Sequence, residues 1–229
     1  VPLHPAEVTP GPNWLFSSRA DGDLAPDAPD VERRRRSLLA RVGGPDQPWN
    51  WLRQVHGARV LSVSAPGQHQ GDEADALVTA AAMVPIAIQT ADCGVVLFSS
   101  PEGVVGAAHA GWRGVLAGIV EATVEAMRLI GARRIEARLG PMIHPGCYEF
   151  GGGDLSRVVE RFGPGVSSRT ASGSAALDLP RAVEQAVVDA GARVAQHSPG
   201  CTACSPERWY SHRARAEEGR MSAVTWLWR

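Results

Sequence analysis

The sequence contains no lysine; all 23 of its basic residues are arginine. Genome composition is explanation enough, but the absence has a chemical consequence. No Schiff-base or lysine-general-base mechanism is available to the chain. Charge of one sign is also missing. The 23 arginines face 24 acidic residues for a formal net charge of -1, so nothing calls for a nucleic-acid polymer or an anionic membrane as partner. No apolar run is long enough to span a bilayer, and no basic-then-apolar segment opens the sequence. There are four cysteines, Cys93, Cys147, Cys201 and Cys204. Their spacing does not make a disulfide scaffold, which a chain of this length does not need. Together these absences set the expectation of a cytoplasmic, reducing environment.

What is present is organised around residues 104 to 118, Val-Val-Gly-Ala-Ala-His-Ala-Gly-Trp-Arg-Gly-Val-Leu-Ala-Gly. Small and apolar residues run into His109, glycines bracket Trp112-Arg113, and a helical pattern follows. This reads as a buried strand, a sharp turn and a helix start. His109 and Arg113 then sit at a strand end near the positive end of a helix, a place suited to a metal or an anion.

Around that stretch the pattern predicts a Pro-rich irregular start over residues 1 to 13 and a strand over Trp14 to Arg19. A helix follows, capped by Asp30 and closed by Gly43-Gly44. The run Arg33 to Arg36 on this helix is expected to be solvated surface, because four adjacent residues spread round a helix. The motif Asp75 to Thr79 follows the polar stretch 64 to 73. Strands are expected at Arg59 to Val63, at Val84 to Gln89, interrupted by the polar turn 90 to 94 and resumed over Val95 to Phe98, and at Ile135 to Leu139. Two more are expected at Arg193 to His197 and Ser222 to Trp228. A single helix after Gly114 carries an apolar stripe of Leu116, Ile119, Val120, Met127 and Ile130, ended by Gly131. Helices are also expected at Asp154 to Phe162 and Leu179 to Ala190. Residues 64 to 73 and 163 to 176 read as loops. No repeat or linker divides the chain, so a single α/β-type domain with mixed sheets is expected.

Three polar interruptions share one character: Gln54-Val55-His56-Gly57, Thr90-Ala91-Asp92-Cys93 and His109-Ala110-Gly111-Trp112-Arg113-Gly114. Each places a soft or borderline ligand at the edge of an apolar strand. Spacing alone does not make them one site, because the three lie far apart, unlike the paired cysteines of a zinc finger. Core histidines and a buried apolar cysteine are the alternative reading. Cys201-Thr202-Ala203-Cys204 is a lone C-x-x-C pair, weak evidence by itself for metal or redox chemistry.

The chain resembles the laccase-domain family of purine nucleoside phosphorylases, once labelled polyphenol oxidoreductases. The resemblance rests on the three motifs above and on Asp75-Ala76-Leu77-Val78-Thr79, Gly140-Pro141 and Cys147-Tyr148-Glu149. Cys201-Thr202, Tyr210-Ser211-His212-Arg213 and Gly219-Arg220-Met221 extend it. It implies an α+β fold, a single domain over 1–229 with packed mixed β-sheets flanked by helices. It implies His56, Cys93 and His109 as zinc ligands, with copper as a possible occupant in vitro. Two imidazoles and one thiolate suit zinc, and three protein ligands leave a fourth position open. The implied activities are phosphorolysis of adenosine, inosine and methylthioadenosine, and deamination of adenosine. The expected partners are purine nucleosides and phosphate, acted on by a monomer or weak homodimer.

Within that frame Cys93, Asp92, Arg113 and Glu149 are the catalytic candidates. Asp92 either carries protons or hydrogen-bonds a ligand imidazole to orient it. Arg19, Arg113 and Arg213 are candidates for holding phosphate, and Tyr148 for stacking on a base. His144 and His212 read as accessory or surface residues. The sequence departs from the family pattern in carrying Val95 where a proline is usual and His212 where a tyrosine is usual. The Gly-rich and Leu-Asn-Leu segments after Arg19 are also missing. These departures bear on the shape of the substrate entrance rather than on the ligands. Three other readings stand beside this one. One is an amide hydrolase of cell-wall precursors with Cys93 as nucleophile and His109 as base. Another is copper-dependent phenol oxidation as a side activity; the seven histidines include no His-x-His pair, which makes a multicopper oxidase physically weak. The third is a zinc-stabilised binding protein.

Overall fold

Strict alternation along the strands sets the layers. In the computed structural model, which describes residues 12–228, the strands are β1 (Pro12–Phe16), β2 (Trp51–Arg53), β3 (Val60–Ser62), β4 (Gln70–Glu73), β5 (Ala76–Thr79), β6 (Ile86–Thr90) and β7 (Gly94–Ser100). They continue as β8 (Val104–Ala110), β9 (Glu136–Leu139), β10 (Ser167–Arg169), β11 (Ala175–Leu177), β12 (Arg193–His197) and β13 (Met221–Leu227). The helices are α1 (Val31–Arg41), α2 (Trp112–Ala117), α3 (Ile119–Leu129), α4 (Gly152–Phe162), α5 (Leu179–Asp189) and α6 (His212–Arg215). A mixed six-stranded sheet has the order β12-β9-β7-β8-β5-β3, and a three-stranded antiparallel sheet has the order β1-β13-β6.

Odd and even positions of β7 face different cores, as a period of two requires. Val95 and Leu97 meet Ile86, Ile88 and Ala223 of the smaller sheet. Val96 and Phe98 meet Val120, Val124 and Met127 of α3 and Val183 and Val187 of α5. The smaller sheet turns Ala87, Val224 and Trp226 to Leu38 and Leu39 of α1 and to Trp49. The layers are therefore α1, small sheet, large sheet and the α3–α5 layer. Each fully buried aliphatic side chain in them contributes about 1.5–3 kcal/mol. This is the α+β arrangement of mixed sheets and flanking helices that the resemblance implied.

Several local expectations change. Residues 1–11 of the Pro-rich start lie outside the described residues, and Pro12 and Asn13 already belong to β1, paired with Leu227 and Trp226. Asp30 precedes α1 but does not cap it with its side chain. Its backbone is left-handed (φ 57°), and its carboxylate pairs with Arg33. Arg35 is not solvated surface. It is buried beneath Trp49 and Trp51, with Glu32 as its ion partner. The expected loops hold strands: β4 pairs in parallel with β2, and β10 and β11 form a hairpin. The helix after Gly114 is two helices. The first starts at Trp112, and Gly118 separates them with φ 92°, a conformation that costs an L side chain about 1–2 kcal/mol. The runs before and after Asp92 are not one strand resumed. β6 lies in the small sheet and β7 in the large one, so residues 91–93 carry the chain across the seam between them.

Candidate metal centre

That seam is where the three motifs meet. His109 is on β8 opposite Val95, at the same odd phase as Val105 and Ala107, which pack between the sheets. Cys93 ends the crossover from β6. His56 belongs to the turn after β2 and has a left-handed backbone (φ 59°), as does Asp92 (φ 83°). Such conformations in side-chain-bearing residues are costly and persist where the surroundings enforce them.

At His56 the enforcing group is Asp75. Its fully buried carboxylate accepts the backbone N–H of His56 (2.9 Å) and of Gly57 (2.7 Å). The same group takes Nδ1 of His109 at 2.9 Å. This fixes the ring and leaves Nε2 of His109 for the centre. One ligand atom each from His56, Cys93 and His109 lie within 4.8 Å of one another. Cys93 Sγ is 3.7 Å from His56 Nε2, and the two imidazoles are edge-on at 4.7 Å. A Cβ on Gly111 would stand 3.0 Å from both Cys93 Sγ and His56 Cδ2, so the glycine keeps the space between them open.

The electrostatics point the same way. Burial alone would push the Cys93 thiol up, but His109 and His56 outweigh it and bring its pKa down to about 6. Burial would lower His109, yet Cys93 and Asp75 outweigh that and raise it to about 9. Burial also opposes ionisation of Asp75, but His109 and the two backbone N–H groups hold it below the usual carboxylate range. The pocket without metal thus stabilises a thiolate beside a protonated His109 backed by a carboxylate, and a metal ion would take the place of that proton. That donor set fits a divalent metal of the zinc class, and the Asp75–His109 contact is the outer partner such ligands have.

The centre opens into a cleft of about 430 Å³, whose walls include Arg53, Gln54, Gln89, His212 and Arg220. Gln54 lies alongside the backbone of Gln89: its Nε2 donates to Gln89 O (2.8 Å) and its Oε1 accepts Gln89 N–H (2.9 Å). The side chain of Gln89 is buried, and neither its Nε2 nor its Oε1 has a partner among the described residues.

Other candidates are placed differently from expectation. Asp92 does not orient an imidazole. Its carboxylate accepts Thr202 Oγ1 (2.5 Å), Ser211 Oγ (3.0 Å) and the backbone N–H of Arg213 (2.6 Å). It ties the loop before α6 to the residue beside Cys93. Arg19 lies outside the cleft, stacked on Tyr210 and paired with Glu217 at 2.5 Å, so its charge is already neutralised. Arg113 and Arg213 are exposed, stack on Trp112 and Tyr148 respectively, and have no ion partner among the described residues. Tyr148 is buried against Phe150. Burial raises its hydroxyl above the ordinary range, the Cys93 and Asp92 charges add to this, and Arg213 and Arg113 oppose it. Tyr148 thus feels both the Cys93 charge and the two arginines, which themselves do not line the cleft. Glu149 is exposed and bonds Arg213 only through its backbone oxygen (3.2 Å). Asp75, Gln89 and His212 were the residues given no role here by the sequence. Asp75 carried a signal as the leading residue of a family motif, and His212 as a departure from the family pattern within Tyr210-Ser211-His212-Arg213; Gln89 carried none.

The family model described as multi-copper polyphenol oxidoreductase laccase matches residues 17–228. A purine nucleoside phosphorylase of Streptomyces griseus is 38% identical over 240 residues, covering 97% of each chain. One from Deinococcus radiodurans is 39% identical over 209 residues, 90% of this chain and 80% of that one. Among solved structures, a Neisseria meningitidis protein of the DUF152 family superposes with a TM-score of 0.84 at 26% identity, covering 96% of this chain and 95% of that one. No helix among the described residues is long and apolar enough to cross a membrane.

Proposed function

The chain belongs to the multi-copper polyphenol oxidoreductase laccase family, and from that premise we propose that it is a purine nucleoside phosphorylase using a zinc centre of His56, Cys93 and His109. The convergence of these three side chains at the end of a cleft carries the reading. The names of the relatives supply the substrate class. A multicopper oxidase needs several imidazole-rich sites, whereas the described residues bring two histidines and one cysteine together here. Bound zinc supplies Lewis acidity beside the substrate.

The chain's own residues do the rest. A volume of about 430 Å³ falls in the range of small-molecule sites and accommodates a nucleoside. Gln89 lines the cleft with its unpartnered amide closed to solvent, and by turning outward it would offer a donor and an acceptor to the purine edge. Arg113 and Arg213 are the proposed phosphate holders: neither lines the cleft, but neither guanidinium has an ion partner among the described residues, and both act on Tyr148, whose hydroxyl also feels the Cys93 charge. A phosphate oxygen bonds to the anomeric carbon as the bond from that carbon to the base nitrogen breaks. The departing base then needs a proton, and His212 on the cleft wall is placed to provide it. Asp92 positions the loop that carries His212 and Arg213. Adenosine, inosine and methylthioadenosine are the proposed substrates, with deamination of adenosine as a second activity in the same cleft.

The test is purified protein assayed for metal while inosine and adenosine are incubated with and without phosphate. Phosphate-dependent base release that disappears with the zinc in Cys93→Ala is expected. Full turnover by a zinc-free Cys93→Ala protein would sink the reading. Arg113→Ala and Arg213→Ala should raise KM for phosphate more than they lower kcat; unchanged phosphate dependence removes them from that role. His212→Ala should lower kcat and leave KM near its starting value.

One observation favours a second reading. Without metal, the lowered Cys93 and raised His109 make a thiolate–imidazolium pair, the arrangement a Cys-His amide hydrolase uses. Thiol alkylation that abolishes turnover without releasing zinc would select it.

A further inference from the structure

A second group of soft donors converges away from the cleft. The sulfurs of Cys147, Cys201 and Cys204 lie within 4.8 Å of one another, and all are free thiols. They come from two segments held side by side. Met142 and Cys201 form a parallel bridge, and the Thr202 N–H donates to Met142 O at 3.1 Å. Cys147 closes a 3-10 turn over Pro145–Cys147 that follows His144. The His144 N–H donates to Cys201 Sγ at 3.4 Å, and Cys147 Sγ is 3.0 Å from Cys204 Sγ. Three thiols in such proximity make only weak hydrogen bonds to each other, and as thiolates they repel.

His144 supplies the second, independent observation. It lines a cavity with Cys201 and Cys204, its ring nitrogens stand outside the 4.8 Å grouping of the three sulfurs, and its Nε2 is buried with no partner among the described residues. An unpaired buried nitrogen is costly unless something binds it. The sequence spacing then becomes legible. Cys201-Thr202-Ala203-Cys204 has the C-x-x-C spacing common in structural zinc sites, and His144 and Cys147 face it with the same two-residue interval between them.

We propose that Cys147, Cys201 and Cys204 hold a structural zinc ion, separate from the His56–Cys93–His109 centre, with His144 turning in from the shared cavity wall as the fourth ligand. Binding exchanges the thiol protons for the metal and involves no change of oxidation state. The ion pins the segment starting at Cys201 to the segment 142–147. That matters at the cleft because Thr202 Oγ1 holds the Asp92 carboxylate and the Ile143 N–H donates to Asp92 O at 2.9 Å. The zinc ion stiffens the wall that carries Asp92 and Cys93 without touching substrate.

The test uses full-length protein prepared under reducing conditions and its Cys93→Ala, Cys204→Ser and His144→Ala variants. Zinc content, cobalt(II) spectra and thermal melting are measured on each. Cys93→Ala should retain one zinc equivalent, show thiolate-to-cobalt charge transfer when loaded with cobalt(II), and melt lower after chelation. Cys204→Ser, altered at an exposed position, should lose one equivalent relative to the unmodified chain. His144→Ala should weaken binding at this site alone. A Cys93→Ala protein that binds no zinc, or a Cys204→Ser protein with undiminished zinc, overturns the proposal. So does non-reducing peptide mapping that finds Cys147 and Cys204 joined as a disulfide in freshly isolated, zinc-poor protein. If Cys93→Ala does not fold, the cobalt spectrum of the unmodified chain decides: charge transfer no larger than one thiolate gives also overturns it. Since the readouts are metal content and spectra, the result stands whether or not the chain acts on nucleosides.

Discussion

His109 and Asp75 are joined at 2.9 Å between Nδ1 and a carboxylate oxygen, and the same carboxylate holds the backbone of His56 and Gly57. One buried anion therefore sets the tautomer of one proposed ligand and the backbone of another. Asp75→Asn keeps the size and loses the charge. Removing such an outer partner typically costs about 10–100-fold in metal affinity, and that loss is expected in a chelator-competition assay. The thermal midpoint should fall as well, because the His56 turn loses its anchor. Unchanged affinity would show that Asp75 serves the fold alone.

Gly111→Ala separates space from charge. Gly111 has φ -64° and ψ 154°, so alanine brings no backbone strain. Its Cβ would meet Cys93 Sγ and His56 Cδ2, both at 3.0 Å, closer than van der Waals contact allows comfortably. The metal-free variant is expected to keep its circular dichroism while its zinc affinity falls. A Gly111→Ala protein with normal zinc affinity would mean that the two ligands spread apart at little cost.

The buried strands and helices were readable because β7, β8 and β13 are apolar on both faces and α3 and α5 carry regular stripes, whereas the packing of two sheets was implied by the family resemblance. What the sequence concealed are contacts that join distant residues through polar groups. Arg35 lies in a run of four arginines, and its burial depends on Trp49 and Trp51 arriving over it from another segment. Strand β4, with burial confined to its half-buried Gly71, has no hydrophobic alternation to announce it. Gly118 breaks a helix whose apolar pattern continues across the break. At the centre, the three motif residues were visible as a family pattern. One of the two roles open to Asp92 was the imidazole contact that Asp75 makes; adjacency to Cys93 in sequence is a poor guide to a bond that runs from the residue before β5 to β8. The thiols of Cys147 and Cys204 are 57 residues apart, so their contact could not be read from the lone C-x-x-C pair.

Acid should expose a different carboxylate. Glu102 accepts from the Ser100 hydroxyl and from the backbone N–H of Arg133 (3.0 Å) and Arg134 (3.2 Å). These bonds, Ser100 first, lower its pKa from 4.5 to about 2. A depressed folded-state value means the native state holds its proton less tightly than the unfolded chain. The stabilisation is therefore complete above about 4.5 and is lost as pH falls toward about 2. Glu102→Gln should be less stable than the parent near neutrality, and the difference should shrink through that window. Urea melts at several pH values test this; a constant difference across the window would assign the loss to geometry rather than ionisation.

Gln89 offers the sharpest test of substrate choice. Its amide is closed to solvent behind the cleft wall with donor and acceptor both unpartnered among the described residues, and its backbone is held by Gln54, so the side chain gains partners by turning toward a ligand. A site whose buried polar groups are paired only by the right ligand discriminates strongly, because the wrong ligand leaves them unpaired. Gln89→Leu should remove that penalty for every ligand. Under the phosphorylase reading, kcat/KM for purine nucleosides should fall by about 10-fold or more, as for a lost hydrogen bond of about 1.5 kcal/mol. Discrimination between adenosine and inosine should narrow, since an amide's donor and acceptor are what distinguish the amino from the oxo group on the purine edge. Thermal stability should hold or rise, because an unpaired buried amide has been replaced by an apolar side chain. Undiminished preference between the two nucleosides in Gln89→Leu would show that the base is read elsewhere in the cleft.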